Sequence, residues 1–447
     1  MLLILVFSLL VLTILEYNIL KGDISSPSLI YNIGFLICSI VAFSYRKEWS
    51  LEYDDFLFST YLLILSGSAI FFIIELFCRR KYPLKKIHVG ERINYMLDSI
   101  NSKLLLFFCF QLLSYFIMAK AQMAYTGMDL ASSVADISGA SKADGVIIRM
   151  PVYVRVLNAI CQKSCFIWSC LLAYSCIHKS KKSTTVLLGL NFMIALVGSS
   201  LGGGRMTMLA MLIPFIIVLF IFYKSKHSWN IKHIPIKYQL LAVSVAVGFS
   251  LSFSYLGTLI GRGESSNAAS YVFAVYCGAE IKNLNTFMES PKMINTTGLC
   301  AENTLNVFYT ELFRNFAGYN TSAIENRLDF QATNSYNLGN VYTNYYLHYL
   351  DFGWFGLIFI CIMAYFIYML YRPLFRKEFL LTGIPNLRIL LFCSLIGYVF
   401  LCFFSNVFYE HLSIMQIINS LIYWKLILLF IFGRNYERKI KNFCSLP

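Results

Sequence analysis

The sequence predicts an all-α polytopic membrane protein of about eleven transmembrane helices, with one long outer loop folded as a helical cap. Three observations predict it. Of 447 residues, 58% are hydrophobic and only 13% charged, a balance outside the range of soluble domains. The apolar residues fall in uninterrupted runs, each close to the roughly 20 residues that a bilayer core requires. The basic residues are shared unevenly between alternate loops, as the positive-inside rule demands.

In order, the runs place spans near 2–20, 27–45, 56–78, 104–119, 156–177, 185–200, 207–223, 238–260, 353–371, 386–404 and 411–432. The first lacks a basic n-region and an A-x-A-like cleavage site, so it reads as a retained span rather than a signal peptide. After the third comes RRKYPLKKIHVGER, the most basic loop, which sets the N-terminus outside and the C-terminus inside. Inner segments then carry 22 Lys and Arg, and the outer ones, longer in total, carry 12. The net charge of +14 thus reports topology more than nucleic-acid binding.

This layout divides the chain into a bundle of eight spans over 1–260, a large outer loop over 261–350, and three spans with an inner tail over 351–447. The smaller outer loop, 121–155, is polar at first and turns amphipathic through IIRMPVYVRVL, a pattern that suits the membrane interface. In the large loop, AASYVFAVYCGAEI and NTLNVFYTELFRNFAGY have helical spacing. Its aromatic content points to short helices packed over the bundle rather than a disordered linker. Most of the 13 cysteines lie in spans as small apolar residues. Cys277 and Cys300 fall in the large loop, where an oxidising compartment permits a disulfide. No Cys/His spacing suggests a metal site and no nucleotide loop follows a strand, so the expectation is no metal and no cofactor.

Between the sixth and seventh spans lies SSLGGGRMTMLAMLIP. A charge at a membrane helix end persists only where water, a partner or a ligand compensates it. Gly203 and Gly204 let the backbone approach a ligand closely, and the helix that follows offers free N–H groups beside Arg205. Such an arrangement suits a phosphate; a tight turn with its arginine among lipid headgroups is the structural alternative. Arg262, in LIGRGESS, stands at a similar water boundary, and the large loop adds Arg314 and Arg327. Guanidinium forks from separate parts of the chain suit a diphosphate, although Arg314 and Arg327 also fit the surface of amphipathic helices. Lys163, inside the fifth span, either joins them or snorkels outward.

Acid–base candidates on the outer side are few: His348 and Asp351 in NYYLHYLDFG, with Glu410 and His411 in NVFYEHLS. A sugar hydroxyl acting as nucleophile benefits from a base that accepts its proton. Asp351 has a structural alternative, because an Asp before FGWFGLIF sits where a helix N-cap belongs, with Gly353 and Gly356 easing helix packing.

The segment NVYTNYYLHYLDFGWFGLIFI resembles the polar and aromatic run followed by D-F-G-x-x-G of Wzy-type O-antigen polymerases, the oligosaccharide repeat-unit polymerases. The opening SPSLIYNIGFLICSI, the Gly-rich arginine turn and the long penultimate outer loop are similar to that family as well. The resemblance implies an enzyme of the bacterial inner membrane whose site faces the periplasm. It would move a growing glycan from undecaprenyl diphosphate onto a lipid-linked repeat unit, without a metal or nucleotide. Its partners would be undecaprenyl-diphosphate-linked oligosaccharide, membrane lipid, a flippase and a separate chain-length regulator, with no nucleic acid. By this resemblance Arg205 and Arg262 would hold the diphosphate. Related O-antigen ligases carry a histidine upstream of the acid where this chain has Tyr342, which leaves the base open.

Two rivals come from other classes. A flippase of lipid-linked oligosaccharide would also want arginines in a cavity, but transporters show internal repeats and interrupted helices at the midplane; no repeat is visible in the sequence, and a transporter does not require a long outer cap. A metal-dependent membrane glycosyltransferase would want outer carboxylates. The stretch EYDDF supplies Glu52, Asp54 and Asp55, although a solvated helix start is the preferred explanation of them.

Overall fold

The computed structural model describes all residues except 53–54, 80–96, 98, 131, 135–149, 179, 203–204, 228–268, 292–297, 314–329, 334–335, 435 and 437–447. In chain order the helices are α1 (Leu2–Ile19), α2 (Pro27–Ser44), α3 (Phe58–Cys78), α4 (Asn101–Thr126), α5 (Val152–His178), α6 (Lys182–Gly198), α7 (Arg205–Lys226), α8 (Ala269–Glu289), α9 (Asn306–Leu312), α10 (Asn344–Phe352), α11 (Ile358–Tyr371), α12 (Lys377–Thr382), α13 (Leu387–Phe400), α14 (Val407–Glu410) and α15 (Ile414–Phe432). Between α9 and α10 lies an antiparallel hairpin, β1 (Gln331–Thr333) and β2 (Tyr336–Gly339), which the sequence pattern did not announce.

Among the described residues nine segments are long and apolar enough to cross a membrane: α1 to α7, the stretch Asn344–Phe375, and α15. The expected span 386–404 corresponds to a shorter apolar helix, Leu387–Phe403, and the expected span 238–260 lies outside the described residues. The chain is therefore an all-α, multi-pass membrane protein. Its surface agrees, because the exposed residues of α1 include Phe7, Val11 and Ile14, at 57%, 53% and 51%, whereas Glu16 is fully buried. Hydrocarbon solvates apolar side chains and leaves polar ones to face the protein interior.

Two boundaries differ from expectation. The stretch VYVRVL, read as interfacial, is the first turns of the continuous α5, entered through Pro151. The ninth span begins earlier than 353, at Asn344, and is interrupted: α10 ends at Gly353, whose φ of 56° and ψ of −133° are open only to glycine, and a 3-10 turn over Gly353–Leu357 leads into α11. An interrupted helix is thus present in this segment.

The chain forms two compact units. The first comprises Met1–Lys81, Asn267–Met369 and Tyr398–Ile417. Within it α2 lies against α1, α3 and α8. Its first turn begins with Pro27, which has no N–H, and the next free donor, Ser28 N, is taken by the carboxylate of Glu75 on α3 at 2.9 Å. A carboxylate at the positive end of a helix does the work of an N-cap. Further along α2, Gly34 lets the backbone of Phe400 approach, and Gly67 of α3 admits the ring of Tyr345, whose hydroxyl meets that of Tyr31 at 2.8 Å. The helix α8 is the expected AASYVFAVYCGAEI helix, extended to Glu289. Of the NTLNVFYTELFRNFAGY helix, the described part is α9.

The second unit comprises Tyr82–Ser266, Leu370–Gly397 and Ile418–Pro447. Its polar side chains also pair off inside: Gln111 Nε2 and Trp168 Nε1 both donate to Ser164 Oγ, at 3.1 and 2.9 Å, and Asn191 Nδ2 donates to Leu104 O at 3.0 Å. Gly397 packs directly on the backbone of Ala210, so a side chain there has no room, while Gly189 faces open space. Gly397→Leu is expected to cost about 1–3 kcal/mol by overpacking, and Gly189→Ala to be neutral or mildly stabilising. Thermal unfolding of the detergent-purified variants, followed by monodispersity on size exclusion, checks both.

Candidate functional site

The interrupted segment carries His348 and Asp351, and both are tied to one turn. Asp351 is not an N-cap. It is the penultimate residue of α10, and its carboxylate gathers the donors of the turn that precedes α9: Oδ1 accepts from Asn303 N at 3.0 Å and Asn303 Nδ2 at 2.9 Å, and Oδ2 accepts from Thr304 N at 2.7 Å. Charged acceptors make the stronger hydrogen bonds, so Asp351 serves as a clamp on residues 303–304. The expected glycine packing is present, since Gly356 sits against the carbonyl of His348 and any side chain there would strike it.

His348 lies one helical turn before Asp351 and is 2% exposed. Its Nε2 stands 3.2 Å from Asn406 Oδ1. Asn406 Nδ2 donates to Thr304 O at 2.9 Å, which fixes the amide with its oxygen toward the histidine. An amide oxygen only accepts, so Nε2 bears the proton and Nδ1 keeps the lone pair. That Nδ1 is buried without a hydrogen-bond partner. Around it Phe359 and Tyr409 pack on the ring at centroid distances of 5.2 and 5.5 Å. The turn at 303–304 therefore joins Asp351 and, through Asn406, His348 into one network. Asn344 precedes His348 by one helical turn and is buried with its amide against the Tyr31 hydroxyl, and the Oγ1 of Thr304 is buried without a hydrogen-bond partner.

His411 is placed separately from this network. It is half-buried, its ring stacks on Tyr398 at 3.8 Å, and its Nδ1 lies 3.2 Å from Gln416 Oε1. Nearby, Ser413 Oγ donates to Glu311 Oε1 at 2.9 Å, joining α9 to the start of α15. Glu410 closes α14 and is half-buried. In the second unit Arg205 opens α7 after a 3-10 turn, Ser199–Gly202, whose Leu201 carbonyl accepts from Gln122 Nε2 at 2.9 Å. The side chain of Arg205, and Gly203, Gly204, Arg262, Arg314 and Arg327, lie outside the described residues. Lys163 is half-buried within α5, where its carbonyl accepts from Trp424 Nε1 at 2.9 Å. Asp54 also falls outside, while the carbonyl of Asp55 accepts from Asn285 Nδ2 at 2.8 Å. Cys277 and Cys300 are both free thiols, the first buried and the second exposed, so the permitted disulfide is not formed.

Three groups escaped the sequence reading. Asn406 sits in FFSNVFYEH, where a lone amide in an apolar run was the available signal. Glu16 and Glu280 are fully buried acids that motif reasoning passed over. Glu280, on α8, accepts a long hydrogen bond of 3.7 Å from the Cys38 thiol, and burial lifts its carboxyl well above the usual carboxylate range.

No protein-family model, curated protein or solved structure matches this chain.

Asp351→Ala strips the acceptor from three donors and is expected to cost about 2 kcal/mol, with Asp351→Asn retaining part of it; unfolding midpoints, and proteolysis at the 298–313 turn, measure this. For Glu280 the folded state holds a proton that the unfolded state releases above about pH 4–5, so stability contributed by the neutral acid is lost as pH rises. Glu280→Gln is expected to raise the unfolding midpoint more at pH 8 than at pH 5. Equal shifts at both values would show that Glu280 does not titrate this way.

Proposed function

We propose that the chain is a polysaccharide repeat-unit polymerase of the bacterial inner membrane, joining undecaprenyl-diphosphate-linked oligosaccharides on the periplasmic side. The observation that carries this reading is the interrupted segment Asn344–Phe375. The stretch that resembles the Wzy-type polymerases also bears His348, buried, with its Nδ1 lone pair unpaired and its other nitrogen held by Asn406. A neutral imidazole so held is suited to general-base work. In the reaction the acceptor sugar's hydroxyl gives its proton to His348 Nδ1 and its oxygen bonds to the anomeric carbon of the donor. The bond from that carbon to the diphosphate oxygen breaks, and its electron pair leaves with the diphosphate. The sugar–diphosphate bond supplies the energy. The arginines of the expected diphosphate site, Arg205 first among them, would stabilise the charge that develops on the leaving oxygen by several kcal/mol. Asp351 and Asn406 position the base; they are not themselves reactive in this scheme.

Export of lipid-linked oligosaccharide is the second reading, favoured by the same interruption, because discontinuous helices build substrate sites in transporters. One experiment separates the two. In a strain lacking the gene, complemented with wild type, Arg205→Ala or His348→Ala at matched membrane levels, the surface polysaccharide is resolved on a gel. Polymerisation predicts core bearing a single repeat unit in the null strain, a ladder restored by wild type, and failure of both variants to restore it. A null strain with no repeat unit on its surface assigns the protein to export instead. A normal ladder from His348→Ala removes that residue from the chemistry.

A further inference from the structure

In the second unit, α15 is tied to its neighbours at two points. Trp424 Nε1 donates to the carbonyl of Lys163 on α5 at 2.9 Å, and further along α15 the carbonyl of Ile431 accepts from Lys103 Nζ of α4 at 2.8 Å. Between these ties the three helices leave a groove of about 340 Å³, whose lining includes Leu106 and Phe107 of α4, Ile160 of α5, and Leu426, Ile427 and Phe430 of α15. Phe107 and Ile427 are buried and form its floor, while Leu106, Leu426 and Phe430 are exposed and stand on its rim. These side chains are all hydrocarbon. Such a groove stays dry and takes an apolar occupant, and its open side is the face that the spans turn to the bilayer.

Two cations stand at the end of the groove that Lys103 closes. Lys103 lies one turn before Leu106 on α4, and Arg434, just past the end of α15, is exposed. A lysine on the last carbonyls of a helix is a common terminus, and it accounts for one of the three N–H donors of Lys103. The other two donors and the Arg434 guanidinium have no such use. Among the described residues the ion pairs are those of Arg79, so neither Lys103 nor Arg434 is neutralised by a carboxylate there. The uneven basic loops set the C-terminus inside, which puts this end of the groove at the inner leaflet, where anionic headgroups attract Lys and Arg. A lipid-linked substrate handled on the outer side would carry its diphosphate at the opposite surface.

We propose that the groove between α4, α5 and α15 binds an acyl chain of an anionic phospholipid of the inner leaflet, with the headgroup phosphate held by Lys103 and Arg434. The hydrocarbon floor selects the chain. The two cations select a headgroup of net negative charge over a zwitterionic one, whose own ammonium would meet like charge at the same place. With the chain in place, α4 and α15 touch the same ligand between their two hydrogen-bonded ties, so the lipid is a structural ligand of this unit. The site stands apart from the polymerase reading and is tested without it.

The test is thermal unfolding of the full-length protein in a mild detergent, titrated with phosphatidylglycerol, with phosphatidylcholine of the same acyl chains, or with inorganic phosphate. A ligand bound only by the folded state raises the midpoint in a saturable way. The expected result is a rise of about 2 °C or more with phosphatidylglycerol over phosphatidylcholine, and no saturable rise with inorganic phosphate. Lys103→Gln, which keeps a donor for Ile431, combined with Arg434→Gln is expected to raise the half-saturating phosphatidylglycerol concentration several-fold, as is Leu426→Trp, which narrows the groove. If these variants do not fold, the exposed Arg434→Gln alone is expected to raise it at least about twofold. Equal midpoints with the two phospholipids at every concentration, or an Arg434→Gln titration that coincides with the wild type, would overturn the proposal. So would a rise with inorganic phosphate that matches the lipid, because the chain would then contribute nothing.

Discussion

Hydrocarbon offers no hydrogen bonds, and a polar group left unpaired in it costs several kcal/mol. Most of what is specific about this molecule follows from that constraint. Each amide, hydroxyl and carboxylate on a span has to turn inward and find a partner, so the polar residues, few as they are, specify which helices meet. Glu75 binds the first free N–H of α2, and Asn191 reaches the carbonyl of Leu104. Gln111, Ser164 and Trp168 share one hydroxyl. The apolar residues, by contrast, face lipid as readily as protein, and on α1 many of them do.

Against that background the groups still short of partners carry information. A protein interior pairs the great majority of its polar atoms. Here His348 Nδ1 and the hydroxyl of Thr304 lie unpaired beside one interrupted helix, in the segment on which the proposed chemistry on a sugar hydroxyl rests.

The interruption itself has a local cause. Gly353 adopts a conformation closed to other residues, and Gly356 removes the side chain that would otherwise strike the His348 carbonyl. The chain can then fold back closely enough for Phe359 to cover the His348 ring. Asp351 holds the opposite side by binding the turn at 303–304, and Asn406 closes the circuit between that turn and His348. Precision at His348 thus rests on residues far apart in the chain, each held by at least two bonds.

From the sequence alone came the fold class, most of the span positions and the segment worth attention, because hydrophobic run length and charge asymmetry are local quantities that a bilayer reads directly. His348 and Asp351 were legible as candidates for the same reason: ionisable groups are rare in such a chain and each stands out. Their roles were not. The position of Asp351 before an apolar run matched an N-cap, yet its oxygens bind backbone that lies some 48 residues earlier. Nor could any periodicity report that Asn406 sets the tautomer of His348, or that Lys103 meets the carbonyl of Ile431 at the end of an apolar groove. Those relations depend on which helix faces lie opposite one another, and only tertiary packing decides that.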